Sequence, residues 1–224
     1  MTPTTTPRPR AFSSFLLSLV FTALVFIMFI VTLLAFTACG DSSSGVNTGG
    51  ALAPRTVSNL RPDSLSVLYF SFDKDTLIPA SRAATDEWDI QLPFLSADSR
   101  SVDILLNSGN LNPNGKTRGI TIDSTFDLVS FAPSEAQMRT EDTAVSRRIV
   151  SVDLFGGGMF NYNAAQRTIV PNPQKTLALK TAGGNYVKVQ FVNLYKDAPS
   201  APTMFTPLGY YRIRYVKNTD RNLK

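Results

Sequence analysis

The 224-residue chain contains no histidine and one cysteine, Cys39, and these two facts restrict its chemistry more than any motif does. Without imidazole there is no Ser-His-Asp or Cys-His triad, and the commonest general base and metal ligand are missing. Serine and metal hydrolases of the usual kinds are disfavoured. No pair of carboxylates can be assigned across a cleft, and Gly156-Gly157-Gly158 lacks the Gly-Lys-Ser/Thr ending and following helix of a phosphate loop. Asp73, Asp75, Asp86 and Glu87 do not follow the twelve-residue calcium pattern and read better as turn chemistry. No enzyme is expected. Beyond the N-terminal apolar run there are three methionines, Met138, Met159 and Met204, whose thioethers are soft donors. Met138 lies in the polar segment 133–139. Met159 follows three glycines, a stretch in which backbone can approach a neighbour closely. Met204 ends a Pro-rich loop, 198–204. The competing reading for each methionine is a flexible core filler.

The rest of the chain must export and position these residues. Arg8 and Arg10 precede an uncharged apolar run at 11–38, long enough for a membrane span of roughly 20 residues. Taken alone, the run is a signal peptide or a permanent anchor. Its ending, Ala35-Phe36-Thr37-Ala38-Cys39-Gly40, looks like a lipobox, with small residues just before the cysteine, although Phe36 stands where leucine is usual. We therefore expect a signal peptide at 1–38 and a lipid on Cys39. Gly40 rather than Asp follows the cysteine, as in lipoproteins passed on to the outer membrane of diderm bacteria. A lipidated Cys39 leaves nothing for disulfides, so the domain must be held by its core.

Residues 39–62, rich in Ser, Gly, Asn, Thr and Pro, read as a flexible tether. Beyond it, short runs dense in aromatic and β-branched residues alternate with turn clusters such as 107–110, 112–115, 171–173 and 182–185. The expected strands are 66–72, 88–94, 101–106, 118–122, 125–131, 148–154, 176–181, 186–195 and 210–216. Segment 134–145 is a weak helical candidate. Val187, Val189 and Phe191 should face the core, with Tyr186, Lys188 and Gln190 opposite; Tyr211, Ile213 and Tyr215 should alternate in the same way with Arg212 and Arg214. These two segments are expected to form a hairpin pair. The prediction is an all-β domain at 63–218 of two packed, mainly antiparallel sheets, followed by a polar C-terminal tail at 219–224.

The formal charge is +5 over the whole chain and about +3 once Arg8 and Arg10 are removed with the leader. The basic residues are scattered among acids, so no nucleic-acid partner is expected.

Several blocks also occur in an order that resembles a family. Tyr69-Phe70-Ser71-Phe72, Glu87-Trp88-Asp89-Ile90, Leu106-Asn107-Ser108-Gly109, Phe160-Asn161-Tyr162-Asn163, Leu177-Ala178-Leu179-Lys180-Thr181, Gly184-Asn185-Tyr186-Val187 and Tyr210-Tyr211-Arg212-Ile213-Arg214-Tyr215 look like the blocks of the HmuY-like haem-binding lipoproteins of Bacteroidetes. The resemblance covers roughly residues 65–216. It implies an all-β, lipid-anchored protein of the outer membrane and cell surface. Such a protein takes haem from host carriers and passes it to a TonB-dependent outer-membrane receptor.

Members hold haem iron by two axial side chains, histidines in one case and methionines in others. This chain departs from the first pattern outright, and has Gly158-Met159 where members often show Gly-Trp. The resemblance makes Met138 and Met159 the candidate iron ligands, with Met204 and Tyr162 in reserve. Tyr186 is a further oxygen-bearing alternative. Arg139, Arg147 and Arg148 are candidate partners for the haem propionates. Leu154, Phe155 and Phe160 are candidates to cover the ring. The alternative reading is a structural or adhesive surface lipoprotein on the same scaffold, with haem binding lost.

Overall fold

The computed structural model describes residues 52–64 and 66–224. Cys39, the leader and most of the expected tether lie outside the described residues. In chain order the strands are β1 (Arg55–Leu60), β2 (Val67–Ser71), β3 (Thr76–Ile78), β4 (Ile90–Pro93), β5 (Leu105–Leu106) and β6 (Arg118–Ile122). After them come β7 (Phe160–Asn163), β8 (Thr168–Pro171), β9 (Thr176–Lys180), β10 (Tyr186–Tyr195) and β11 (Leu208–Asn218). Five join in the order β1-β11-β10-β9-β6, four in the order β3-β2-β4-β5, and β7 pairs with β8. The ladders are antiparallel. The domain is all-β, and among the described residues no α-helix occurs.

Side-chain alternation explains the layering. Val187, Val189 and Phe191 of β10 and Tyr211, Ile213 and Tyr215 of β11 are almost fully buried. They meet Phe70, Ile90 and Leu92 from the four-stranded sheet in the main core. β10 and β11 pair directly, Val189 opposite Tyr215 and Phe191 opposite Ile213. The opposite face of the five-stranded sheet is not simply wet. Ala178 and Val216 on that face pack with Phe126, Ala132, Met138 and Leu223 in a second, smaller core. Lys188 is buried there, its ammonium donating to the carbonyls of Phe126 (3.0 Å) and Val129 (2.8 Å). Burial lowers its pKa.

Several boundaries differ from the sequence reading. The Ser/Asn/Arg segment 55–60, expected as tether, is the edge strand β1, paired with β11 through Arg55 opposite Tyr215 and Val57 opposite Ile213. Its polar composition hid it, because an edge strand needs few buried side chains; only Leu60 is buried. Residues 219–224 are no free tail: Leu223 is fully buried, its amide donates to the Ser130 carbonyl, and the Lys224 carbonyl accepts from Leu52. The apolar runs 125–131 and 148–154 form no strand and serve as covering loops. Phe126, Val129, Ile149, Val150 and Leu154 are buried while their backbones stay outside the sheets. Segment 134–145 makes one turn and then a bridge from Arg139 to Gly119. The acidic residues near the first hairpin are structural. Asp73 accepts from the Thr181 hydroxyl, the Gly183 amide and Asn185, and Asp75 from Tyr215, tying the 72–75 turn to the large sheet.

Candidate functional site

The main core is left open at one end, where the β10–β11 connection, the loop after β4 and the β7–β8 hairpin converge. The opening is a cleft of about 540 Å³, within the range of roughly 300–1,000 Å³ usual for small-molecule and cofactor sites. Its floor is core: Leu95, Ile169 and Tyr195 line it and are nearly inaccessible to solvent.

Short local bonds shape the walls. In the loop after β4 the Ser96 amide donates to the Ser99 hydroxyl (2.9 Å) and the Ser99 amide to the Ser96 carbonyl (3.0 Å). The base of that loop is held by the Tyr211 hydroxyl, which donates to the Pro93 carbonyl at 2.7 Å. Opposite it, the Thr203 amide donates to the Thr206 hydroxyl, and the Thr206 amide to the Thr203 carbonyl, closing a turn that presents Met204 and Phe205. Gly209, at φ +93°, lets β11 start against the first loop; a Cβ there would lie 2.7 Å from the Leu95 carbonyl oxygen.

The rim is where apolar surface meets water. Phe205 is 84% exposed and Met204 45%, both beside the cleft. Tyr162 also lines it, with its ring packed at 5.7 Å from that of Phe155, itself 82% exposed. Side chains this exposed contribute little to the core, and Phe205, Met204 and Tyr162 gather at the cleft. Two tyrosines line the cleft and differ in their freedom. The Tyr195 hydroxyl is buried, accepts from the Ile169 amide at 3.0 Å and has its pKa raised by burial; Tyr162 stands at the surface. Arg61, Arg100 and Arg167 also line the cleft.

The residues singled out from sequence lie in different parts of the fold. Met138 and Met159 are not brought together. Met138, 2% exposed, lies in the small core on one face of the five-stranded sheet, and Met159, 1% exposed, lies in the main core on the other. The polar segment around Met138 hides it with partners from elsewhere in the chain. The glycines before Met159 fold tightly on themselves, a Cβ on Gly158 being 2.3 Å from the Asp153 carbonyl oxygen, and send the methionine inward. As they stand, neither sulfur has an open face, and the sheet lies between them. Arg139, Arg147 and Arg148 are away from the cleft and already engaged. Arg147 pairs with Asp142 at 2.6 Å, Arg148 with Asp103 at 2.8 Å, and Arg139 donates to the Arg147 carbonyl. Leu154 and Phe160 are buried core residues, and Tyr186 donates to Glu135. The reserve candidates Met204 and Tyr162, by contrast, share the one cleft. Cys39 lies outside the described residues.

The three arginines and Phe205 were missed. Arg61 was assigned to the tether, and Arg100 and Arg167 sit in turns with nothing distinctive around them. The adjacent Met204-Phe205 pair in a Pro-rich loop was the available signal.

Among the described residues no group of three or more Cys, Asp or Glu side chains is disposed to hold a metal ion. No protein-family profile and no curated protein matches the chain. Solved structures do resemble it. One is of a protein described as a lipoprotein from Bacteroides fragilis, with 12% identity and a TM-score of 0.43, covering 76% of this chain and 93% of that one. The apo HmuY analog of Tannerella forsythia gives 13% identity and a TM-score of 0.41, covering 75% and 95%. A protein described as an HmuY-like heme-binding protein from Bacteroides vulgatus gives 15% and 0.43, covering 73% and 91%.

Proposed function

We propose that this chain is a haem-binding lipoprotein of the cell surface that carries its ligand without transforming it. The observation that carries the reading is the convergence of Tyr162, Met204 and the exposed Phe205 on one cleft floored by the main core. The ordered sequence blocks that resemble the HmuY-like family support it independently. In this reading Tyr162 and Met204 replace Met138 and Met159 as the candidate ligands, because a thioether sealed in a core cannot meet an iron from outside. Bound haem would supply an iron that accepts a phenol oxygen when ferric and a thioether sulfur when ferrous. Phe205 and Phe94 would shield the ring from water, and the apolar floor would take its edge. Lipid on Cys39 would hold the domain at the outer membrane, where host haem carriers are the donor and a TonB-dependent receptor the acceptor.

Haemin titration of the chain lacking residues 1–40, followed by absorbance with and without dithionite, tests this. We expect a saturable Soret shift, altered in the ferric state by Tyr162→Phe and in the ferrous state by Met204→Ala. Met138→Ala and Met159→Ala should leave both spectra unchanged wherever the variants remain folded. Absence of a saturable shift in either redox state would overturn the proposal and leave a structural or adhesive surface module on this scaffold.

A further inference from the structure

Resting on the cleft assignment above, we propose that the ligand's carboxylates, held by Arg61, Arg100 and Arg167, carry more of its recognition than its iron does. The cleft then accepts a metal-free dicarboxylate porphyrin nearly as well as haem. The three arginines come from separate segments, the connection after β1, the loop after β4 and the β7–β8 turn, yet line one opening. Arg55, Arg82, Arg147, Arg148 and Arg214 each lie against a carboxylate. Among the described residues the three cleft arginines make no ion pair. One carboxylate, Asp98, lines the cleft with them, so the opening carries an excess of two positive charges beside an apolar floor.

That combination is complementary to a flat apolar molecule with carboxylates at its edge. Guanidinium groups bind carboxylates in bidentate fashion. Arg61 is already steadied by stacking, its guanidinium carbon 4.9 Å from the centre of the Tyr210 ring. Iron ligation is less well prepared. Histidine is absent from the chain, and Met204 is a flexible side chain at 45% exposure that must lose rotamer freedom to become a ligand.

Exposed ion pairs are worth a factor of roughly two to five each, so replacing all three arginines should weaken binding on the order of thirtyfold. The test titrates the chain lacking residues 1–40 with haemin and with protoporphyrin IX, at low and high NaCl. It compares the wild type with Arg61→Gln/Arg100→Gln/Arg167→Gln and with the control Arg139→Gln. Expected are dissociation constants for the two ligands within about tenfold of each other, both weakened by the triple variant and by salt, and neither changed by the control. Haemin binding with protoporphyrin IX more than about a hundredfold weaker would overturn this inference and leave the haem reading standing. Equal binding that ignores both salt and the triple variant would overturn the role of the arginines. Failure of both ligands to bind would overturn both readings. The salt dependence of the wild type decides the matter if the triple variant does not fold.

Discussion

Asp89 should make the protein less stable as pH rises from 4 to 7. Its side chain is almost fully buried, with one oxygen accepting from the Phe72 amide at 2.7 Å and the other from the Thr117 hydroxyl at 3.0 Å. Burial pushes its carboxyl up from 3.8 to about 7; the Phe72 amide and Thr117 hydroxyl pull it back, and the Asp73 charge pushes it further up. A folded-state value above the unfolded one means that the native state holds the proton more tightly. The associated stability is therefore complete below pH 4, is lost progressively as pH climbs to about 7, and changes no further above that. The difference of about three pKa units corresponds to about 4 kcal/mol, a large share of the roughly 5–15 kcal/mol by which a domain is stable.

Asp89→Asn is the matching perturbation. The new amide can donate to the Thr117 hydroxyl, which rotates to accept, while its carbonyl keeps the Phe72 bond, so it imitates the protonated acid. Urea unfolding at a series of pH values should find the two proteins equally stable near pH 4 and the variant ahead by up to about 4 kcal/mol at pH 8. Taking the difference between them cancels carboxylates of opposite sense, such as Asp86 beside Lys116, whose pKa is lowered. A stability difference that does not change between pH 4 and 8 would show that Asp89 is ionised in the fold, and would refute the reasoning.

Two further outcomes follow from packing. Met159→Ala removes a side chain from the main core and should cost about 2–5 kcal/mol, whereas Met204→Ala at the exposed rim should stay within about 0.5 kcal/mol; equal losses in urea titrations would contradict the placement of the two sulfurs. Gly209→Ala forces a side chain into a left-handed conformation against the Leu95 carbonyl and should cost about 1–3 kcal/mol. It should also weaken haemin capture, because that contact sets the loop after β4; a variant that unfolds and binds like the wild type would show that the loop is held by other means.

The alternation of apolar and polar residues in 186–195 and 210–216 was enough to predict two long neighbouring strands with Val187, Val189, Tyr211 and Ile213 inward, because a period of two leaves a strand one way to bury its apolar face. Absence of histidine was likewise legible without coordinates, and it disfavoured triads and histidine-ligated metals. Local composition could not reveal β1, whose pairing energy lies in backbone bonds to β11 rather than in its own side chains. Nor could it show that 125–131 and 148–154 bury their apolar residues as loops, since burial and strand pairing leave the same apolar signature. Which methionine is buried and which stays at the surface was decided wholly by tertiary structure. Met138 lies in a polar stretch and is hidden by Phe126, Ala178 and Leu223, residues distant in sequence, while Met204 is left at the surface by a turn between two threonines. The cleft itself joins residues from Arg61 to Leu208, and no local pattern records a site whose walls meet only when the sheets pack.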